Sequence, residues 1–542
     1  MINRVPLRSL AWLVVGLLLW GCHEQQVEEK PAEAITVRLV HGAELTNYLT
    51  PIQEDFNNRR HTLSDGTPIK LELIAESGLS AARAMAKGEL KTALWLSPSS
   101  ALIDFVNTHL TNLGPPQVDC KQLFATPIVL AVNSNNTALF AANDHKFSWR
   151  EFIEGKLGAA AGGARVSFSH SNPLTSSSGL AALTQLAYLA SYTHSADLDY
   201  DTLTSESSLK RLKNYELLAT AYTAGDSSPL SRLANAPGGR ASFVLTTEFE
   251  VANFNRRKVA GAAQLAALYP TEGTYWEDYN LCTSDADWVT TAHRAAIRQV
   301  VGLLSSEAAQ LKVKGFGFRP SIVHFEEVAP LTSEFGVNPQ LPTTSLQPAP
   351  GNVVNHLLDS WPKLMKPLAV MLVVDTSGSM ENALAIGQEQ FRNWIAASPA
   401  RDQKGLISFS SEAKVLAPFS GDSLALIQQL DPLKSIGGSA LYDAVKRAFD
   451  YVSDAALNDY RRSIILYTDG EDKNSQVSLD LLSDIVRQKS FANDINFIVI
   501  AIQRGSTDFS DLKRLTKEAN GVYREGDLFE IDKLFAEILR SV

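Results

Sequence analysis

The 542-residue chain has little of several features that would define its class at once. Three cysteines are too few for a disulfide-stabilised scaffold. Basic residues are not in excess, since 49 lysines and arginines against 59 acidic residues give a net charge of −10, which argues against binding nucleic acid by general electrostatic attraction. Hydrophobic residues make up 45% of the chain and charged residues 20%, a balance typical of globular proteins rather than of disordered or collagen-like chains.

Signatures of enzymes are also lacking. The sequence contains no Gly-x-Ser-x-Gly elbow, no Walker A loop, no His-Glu-x-x-His motif and no Cys-x-x-Cys pair. Its ten histidines are scattered, and it has no basic patches interleaved with aromatic residues of the kind that bind nucleic acid. We therefore expect a non-catalytic protein, and a hydrolase with an unrecognised site is the enzymatic alternative.

The chain begins with a short apolar run, Leu10 to Gly21, which falls short of the roughly 20 residues that a membrane-spanning helix takes. Two arginines precede it, so residues 1–21 have the charged start and short apolar core of a secretory signal. The run ends in Leu-Trp-Gly and is followed by Cys22. This Leu-Trp-Gly-Cys sequence resembles the lipobox of bacterial lipoproteins, apart from a tryptophan where a small residue is usual. The resemblance implies that Cys22 carries a lipid anchor; the alternative is a plain signal peptide.

A lipoprotein of this kind would have a polar tether over residues 22–34 and would lie in the bacterial cell envelope, on the periplasmic side or at the cell surface. Disulfide bonds persist outside the cytoplasm, and only Cys120 and Cys282 would remain to form one. A bond between them and a pair of buried free thiols are both compatible with the sequence.

A proline-rich segment divides the rest of the chain. Five prolines lie between positions 330 and 350, where neither a helical nor a strand period persists, so an extended connector is expected there. The predicted organisation is an N-terminal module over residues 35–329, a linker with a short helix over residues 330–365, and a C-terminal domain over residues 366–542.

The C-terminal domain alternates apolar runs with amphipathic segments. Residues 368–374 form a continuous apolar run typical of a buried parallel strand, and apolar residues recur at helical spacing from Leu441 to Val452. Further strands are expected at residues 404–409, 463–467 and 495–501. This alternation predicts a mostly parallel sheet covered on both faces, which binds ligands at the carboxyl ends of its strands.

Carboxylates and hydroxyls follow those predicted strands or open the amphipathic helix. They are Asp375, Ser377, Ser379, Ser439 and Asp469. Oxygen ligands of this kind suit Mg²⁺, or another divalent cation such as Ca²⁺ or Mn²⁺. Because hydroxyls donate weakly, the bound ion would keep enough charge to accept a carboxylate from a protein partner.

These five residues resemble the metal-ion-dependent adhesion site of von Willebrand factor A domains, which combines an Asp-x-Ser-x-Ser loop with a threonine and a second aspartate. The resemblance covers roughly residues 366–542, and it implies a Rossmann-like fold with the five residues as the metal site. Ser439 stands where the family usually has threonine, so a hydroxyl is kept. Taken singly, each part has a simpler interpretation: a chance Asp-x-Ser-x-Ser, a helix N-cap and a Thr-Asp-Gly turn.

The N-terminal module also alternates strands with helices, so a second α/β unit is expected. Its strands are predicted at residues 35–40, 69–74, 92–96, 124–132, 166–169 and 241–245. Stretches at 125–132, 148–153, 172–179, 269–273 and 317–320 resemble bacterial extracellular solute-binding proteins of the two-lobed periplasmic type. The resemblance implies two lobes that close on a ligand, joined by chain crossings near residues 124–126 and 243–247.

The candidate ligand site of this module begins with three serines, Ser176, Ser177 and Ser178, that open a helix. A helix N-terminus has unpaired N–H groups and partial positive charge that favour anions, whereas an ordinary serine N-cap is the simpler interpretation. Further candidates at the ends of other strands are Glu44, Ser97 and Ser99. The carboxylate among them would oppose a simple anion, which leaves a zwitterionic, sugar or peptide-like ligand open.

Three functions remain. The first is a membrane-anchored binding protein that engages a protein partner through the metal site and a small solute in the cleft. The second is the substrate receptor of an ABC transporter with an accessory C-terminal domain, and the third is the hydrolase. We favour the first because the metal-site pattern is more specific than the cleft pattern.

Overall fold

The computed structural model places most of the chain. It describes residues 33–110, 116–135, 145–156, 166–191, 198–223, 229–235, 242–257, 262–321, 327–503, 505, 507–530, 532 and 534–535. The predicted signal, Cys22 and nearly all of the predicted tether lie outside the described residues. Within the described ranges, no helix is both long enough and apolar enough to cross a membrane.

The N-terminal module is built on one large sheet. Its strands are β1 (Ile35–His41), β2 (Ile69–Ala75), β3 (Leu94–Ser97), β4 (Gln117–Asn133), β5 (Lys146–Phe147), β6 (Ser167–Ser171), β7 (Ala219–Thr223), β8 (Ser242–Thr247), β9 (Leu265–Pro270), β10 (Trp276–Ser284) and β11 (Arg319–Pro320). The main path of the sheet is β2-β1-β3-β10-β4-β8-β6-β7, with β11 and β9 also paired to β4. Strands and helices alternate as the sequence predicts.

Helices cover this sheet on both faces. They are α1 (Thr46–Asn58), α2 (Gly78–Ala86), α3 (Ser100–Thr108), α4 (Trp149–Ile153), α5 (Ser177–Ser191), α6 (Tyr200–Thr204), α7 (Glu206–Glu216), α8 (Pro229–Ala234), α9 (Glu248–Arg256), α10 (Thr291–Leu304) and α11 (Glu307–Gly315). One buried cluster joins α1 and α10 to β1, and another joins α2, α3 and α5 to the opposite face. Apolar burial on both faces accounts for the nearly continuous hydrophobic runs in the strands.

The long strand β4 joins the two lobes. Its first part, up to Pro127, pairs with β10, and from Ile128 onward it pairs with β8 and β9. The first crossing therefore lies where the sequence predicts it, near residues 124–126. The second does not lie at 243–247, because β8 stays within the second lobe and the chain returns between β9 and β10. The sequence of β10 is polar and contains no apolar run, so this strand is not predicted from the sequence.

Cys120 and Cys282 form a disulfide bond between β4 and β10. Cys120 is exposed, whereas Cys282 is fully buried. Of the two alternatives left open by the sequence, the structure has the bonded pair.

The proline-rich segment is packed rather than extended into solvent. Leu331, Val337 and Leu341 are buried against the second lobe, and Ser345 forms a β-bridge with Thr274. Prolines interrupt regular structure here, but burial of the apolar residues between them still stabilises the packed arrangement. The following helix, α12 (Gly351–Leu364), packs against α3 of the first lobe and against α5, α6 and α7 of the second.

The C-terminal domain has a six-stranded sheet. Its strands are β12 (Leu368–Asp375), β13 (Gln403–Phe409), β14 (Ala413–Ser420), β15 (Arg461–Thr468), β16 (Ile495–Ile502) and β17 (Val522–Gly526). Their order is β14-β13-β12-β15-β16-β17, parallel except for the antiparallel edge strand β14. The helices are α13 (Glu381–Ala397), α14 (Ser423–Leu430), α15 (Leu441–Val452), α16 (Leu479–Asn493) and α17 (Ser510–Glu518).

Each face of this sheet has its own core. Val370 and Leu372 face α13 and α14, whereas Met371 and Val373 face α15 and α16. Alternation along a strand that is buried on both faces produces the continuous apolar run seen in the sequence. The amphipathic helix predicted from Leu441 to Val452 has these bounds in the structure.

The two modules contact each other at the amino ends of β15 and β16. Arg232 of the second lobe donates hydrogen bonds to the carbonyl oxygens of Ser490 and Ile495, at 3.1 and 3.0 Å. The guanidinium of Arg461 lies 4.7 Å from the ring centre of Tyr222, whose hydroxyl accepts a 3.0 Å hydrogen bond from the N–H of Lys366. The carboxyl edge of the C-terminal sheet is thus at the far end from the N-terminal module.

Candidate functional site

The first candidate site lies at the carboxyl edge of the C-terminal sheet. β12 ends at Asp375 and β15 ends at Thr468, and these strands are hydrogen-bonded neighbours. Backbone contacts bring the loops after them beside the loop that precedes α15: the N–H of Gly378 donates to the carbonyl of Gly437 at 3.1 Å, and the N–H of Lys473 to that of Ser439 at 2.8 Å. The topology therefore gathers the three polar segments that the sequence predicts.

Asp375 is fully buried and is held by two hydrogen bonds. Its Oδ2 accepts from the Thr468 hydroxyl at 2.6 Å, and its Oδ1 accepts from the N–H of Ser377 at 2.8 Å. Burial raises the pKa of this carboxyl to about 6, and the nearby Asp469 carboxylate adds to the rise, while hydrogen bonds from Thr468 and Ser377 oppose it. A nearby cation would favour the charged form of this carboxyl.

Two hydroxyls of the Asp-x-Ser-x-Ser loop lie together, with Ser377 Oγ 3.0 Å from Ser379 Oγ. Ser377 is buried, and the loop continues through a 3₁₀ turn, Gly378–Met380, into α13. Asp469 is also almost fully buried, at 6% exposure. Two buried carboxylates and two adjacent hydroxyls form an oxygen-rich site of the kind that hard cations prefer.

Ser439 is the fifth of the predicted oxygen ligands. Its side chain is 4% exposed, and its Oγ has no hydrogen-bond partner in the described part of the chain. Its backbone is fixed, because its N–H donates to Asn474 Oδ1 at 3.0 Å. A Cβ at position 438 would overlap that same oxygen, so the glycine before Ser439 allows the contact. Ser439 is not an N-cap for α15 here, since the cap residue is Ala440 and no side chain caps it.

The donor set therefore fits a divalent cation held by hydroxyls and carboxylates. A buried hydroxyl without a partner costs free energy, and a metal ion would remove that cost. Across the described residues, no group of three or more His, Cys, Asp or Glu side chains is arranged to hold a metal. The present site is of a different composition, with two carboxylates and three hydroxyls.

The second candidate site is a cavity of about 350 Å³ between the two lobes of the N-terminal module. Glu44 reaches it from the turn after β1, and the three serines at the start of α5 reach it from the other lobe. The lobes touch here, since a Cβ at Gly78 would come 2.9 Å from Ser177 Oγ. Glu44 and the serines, predicted separately, thus line one cleft.

The serines have both structural and cleft-facing roles. Ser176 Oγ accepts the N–H of Gly179 at 3.3 Å, which is the N-cap interaction. The same Oγ lies 2.9 Å from Ser178 Oγ, and Ser178 donates to Glu250 Oε1 at 3.4 Å.

Ser97 and Ser99 are not among the residues that line this cavity. Ser97 is fully buried, and its hydroxyl donates to the carbonyl of Ser99 at 2.8 Å. Ser99 caps α3, since its Oγ accepts the N–H of Ala101 at 3.1 Å. Both side chains serve the turn between β3 and α3.

Several residues of both sites are not predicted by the sequence. In the cleft these are Glu76, Phe249, Glu250, Glu277 and Tyr279, and at the loop site Thr468 and Asn474. Thr468 is the residue before Asp469 in the Thr-Asp-Gly motif, so the motif itself could have predicted it as a site residue. Glu277 and Tyr279 lie on β10, whose charged sequence has no strand signature.

Two family models match the chain. The model described as bacterial extracellular solute-binding protein matches residues 37–319, more than half of the chain. The model described as von Willebrand factor type A domain matches residues 370–471. A comparison with curated proteins gave no match.

Solved structures resemble each module separately. The periplasmic thiamin binding protein is 14% identical with a TM-score of 0.44, covering 64% of this chain and 99% of its own. AfuA from Actinobacillus pleuropneumoniae, with fructose 6-phosphate bound, is 12% identical with a TM-score of 0.41, covering 61% and 98%. BatB from Bacteroides thetaiotaomicron is 18% identical with a TM-score of 0.27, covering 32% and 98%. At these identities and scores, the ligands of these proteins say nothing about the ligand of this chain.

Proposed function

Because the chain belongs to the bacterial extracellular solute-binding protein family, we propose that it is an extracytoplasmic binding protein with two separate sites. The cleft of the N-terminal module takes a small solute. The loop site of the C-terminal domain takes a protein partner through a divalent metal ion. Both families are typically binding modules rather than catalysts, which supports a non-catalytic role.

Membrane attachment completes the proposal. A family described as extracellular indicates a periplasmic or cell-envelope location. A lipid on Cys22 would hold the protein at a membrane surface there, with the residues up to Glu33 as its tether. Such an anchor needs no membrane-spanning helix.

The observation that supports the metal-dependent function is the Ser439 hydroxyl, which lies beside the Asp-x-Ser-x-Ser loop and has no hydrogen-bond partner among the residues that the structure describes. The ion would be held by Asp375, Ser377, Ser379, Ser439 and Asp469, and Mg²⁺ suits this oxygen set. When bound, the ion supplies a positive charge that a partner's Asp or Glu side chain neutralises. The five residues would hold the ion at the carboxyl edge of the sheet, where a partner's side chain can approach it.

The position of the site supports a partner-binding role. The N-terminal module docks at the amino end of β15, around Arg461, whereas Asp375 is at the carboxyl end of β12. Eight residues of extended strand separate the two ends by roughly 25 Å. A large partner can therefore approach the loop site without meeting the solute-binding lobes.

A chelation-sensitive pull-down from envelope extract tests the proposal. We expect the full chain to retain an envelope protein in Mg²⁺ and to release it in EDTA. Asp375→Ala should not retain that protein, whereas Asp484→Asn, an exposed aspartate on α16, should behave as the wild type. Retention that is equal in EDTA, or equal for Asp375→Ala, would contradict metal-dependent engagement.

The cavity between the lobes favours one alternative, a substrate receptor for an ABC transporter. In that case loss of the protein abolishes uptake of one solute, and Asp375→Ala leaves that uptake unchanged. Under the main proposal, the same variant abolishes the partner-dependent phenotype.

A further inference from the structure

The inter-lobe cavity is strongly acidic. Among the described residues that line it are four glutamates, Glu44, Glu76, Glu250 and Glu277, and no lysine, arginine or histidine. Carboxylates that line one cavity repel one another, and no cationic side chain among the described lining residues compensates them. A cavity of this composition would reject an anionic solute.

Glu277 is the most deeply buried of these four carboxyl groups, and only one of its two oxygens has a hydrogen-bond partner among the described residues. Its side chain is 4% exposed, and Oε2 lies 3.2 Å from the hydroxyl of Tyr279. Its Oε1 has no hydrogen-bond partner within the described ranges. A buried carboxylate oxygen without a donor costs free energy, so Glu277, which lines the cavity, has a vacant acceptor.

Glu277 shares its hydrogen-bond donor, the Tyr279 hydroxyl, with Glu44. The Tyr279 hydroxyl lies 3.1 Å from Glu44 Oε1 as well as 3.2 Å from Glu277 Oε2. A phenol has a single proton, so it can donate fully to only one of the two carboxylates. The pair therefore has acceptor capacity beyond what the protein supplies.

Glu250 is the better-satisfied carboxylate on the other side of the cavity. Its Oε1 accepts from Ser178 at 3.4 Å, and its Oε2 accepts from the N–H of Thr247 at 3.3 Å and from the Thr246 hydroxyl. These contacts fix the position of the Glu250 carboxyl group beside the start of α5. Glu250 therefore has less acceptor capacity left for a solute than Glu44 and Glu277 have.

Two aromatic residues also line the cavity, Phe249 and Tyr279. The ring of Phe249 is stacked on Phe318, and that of Tyr279 is stacked on Phe124. Tyr279 is 1% exposed, so what it offers a solute is its hydroxyl group rather than a ring face. The carboxyl groups, not the rings, therefore carry the preference for an alkylammonium or guanidinium group.

We propose that the inter-lobe cavity binds a small organic cation, with a protonated amine or guanidinium group placed between Glu44 and Glu277. This inference rests on the proposed solute-binding function of the cleft. A bare metal ion fits less well, since no three acidic or histidine side chains among the described residues are arranged to hold one. The cavity volume of about 350 Å³ also suits an organic molecule.

Calorimetric titration of the full chain tests the ligand class. The probes are putrescine, spermidine, choline and arginine as cations, glucose as a neutral solute, inorganic phosphate and glucose 6-phosphate as anions, and Mg²⁺. We expect at least one organic cation to bind with a dissociation constant below about 1 mM, and neither the anions nor glucose to bind. Glu277→Gln should weaken the cation at least tenfold, and so should Glu44→Gln.

Glu334→Gln, an exposed glutamate outside the cavity, is the matched control and should leave binding unchanged. A melting curve of each variant establishes that it is folded. Binding of glucose or an anion without any cation would overturn the cationic class and leave the solute-binding function standing. If none of the organic probes binds, both the cationic ligand class and the solute-binding function are overturned. If Mg²⁺ binds and Glu277→Gln abolishes that binding, the cavity is a metal site instead.

Discussion

The hydroxyl of Thr468 donates a 2.6 Å hydrogen bond to Oδ2 of Asp375, across the carboxyl ends of the neighbouring strands β15 and β12. With the N–H of Ser377 on the other oxygen, this contact fixes the orientation of a fully buried carboxylate. Residues that hydrogen-bond to a metal ligand orient it and so affect metal affinity. We therefore infer that Thr468 is a positioning residue of the proposed metal site.

Replacing Thr468 with valine removes the donated hydrogen bond and keeps the shape of the side chain. We expect Mg²⁺ affinity to fall by about 10- to 100-fold, as is typical when a partner of a metal ligand is lost. Thr516→Val is the matched control, because that buried threonine donates to the carbonyl of Leu512 within α17. Calorimetric titration with Mg²⁺ gives both affinities, and equal losses in the two variants would refute a specific role for Thr468.

Gly387 provides a test of packing beneath the loop site. It lies on α13 against the ring of Tyr467, and a Cβ at this position would overlap that ring. We expect Gly387→Ala to lower the free energy of unfolding by about 1–3 kcal/mol, since added atoms in a full core force displacement.

Gly302 is the control for that substitution, because it is an exposed helical glycine on α10 with nothing near its Cβ position. Gly302→Ala should be neutral or should stabilise by up to about 1 kcal/mol, through the higher helix propensity of alanine. Denaturant unfolding compares the two. A Gly387→Ala protein as stable as the wild type would show that α13 does not pack closely on β15.

The disulfide between Cys120 and Cys282 spans 162 residues of sequence. In the loop-entropy account, a loop of this length restrains the unfolded chain by about 5 kcal/mol. We therefore expect the Cys120→Ser/Cys282→Ser double variant to unfold at a clearly lower denaturant concentration than the wild type. Alkylation under denaturing conditions is the chemical check: neither cysteine should gain mass before reduction, and both should gain it afterwards.

The acidic cavity gives the chain a pH dependence with a definite sign. Burial raises the pKa of Glu277 well above its usual range, and the carboxylates of Glu44 and Glu250 raise it further. The folded chain thus holds a proton at pH values where the unfolded chain has released it, so stability is lost as pH rises above the usual glutamate value. As pH rises above the usual glutamate pKa, the melting temperature of the wild type should fall more than that of Glu277→Gln.

Organic cation binding should have the opposite dependence on pH. A cation competes with the proton for the same carboxylate, so affinity should increase as pH rises through the raised pKa of Glu277. The other titratable groups that act on Glu277 are Glu44, Glu250, Asp278 and Tyr279. Their effects remain in Glu277→Gln, so the difference between the two proteins isolates Glu277. Affinity that weakens as pH rises would contradict this account.

The sequence predicts the C-terminal domain well because its strands are buried on both faces. Apolar runs at residues 368–374 and 495–501 correspond to β12 and β16, and the polar residues after the strands converge at one edge. The edge strands β14 and β17 were missed. Their outward faces are partly exposed, so their sequences lack a continuous apolar run.

The cleft was harder to predict because its most important residues lie on an unusual strand. β10 carries Glu277 and Asp278 in a buried or nearly buried position, where propensity and hydrophobicity both argue against a strand. Only the pairing of β10 between β3 and β4 places the Glu277 carboxyl group in the cavity. The acidic character of the cleft therefore comes from tertiary structure that no local pattern indicates.

We propose that Asp375 and Ser439 hold a divalent metal ion in the C-terminal domain. Calorimetric titration of the full chain with Mg²⁺ tests it most directly, with Asp375→Asn and Ser439→Ala as site variants and Asp484→Asn as the exposed control. We predict one Mg²⁺ bound by the wild type and by Asp484→Asn, none by Asp375→Asn, and weaker binding by Ser439→Ala. Equal Mg²⁺ binding by all four proteins, or no binding by the wild type, would contradict the account.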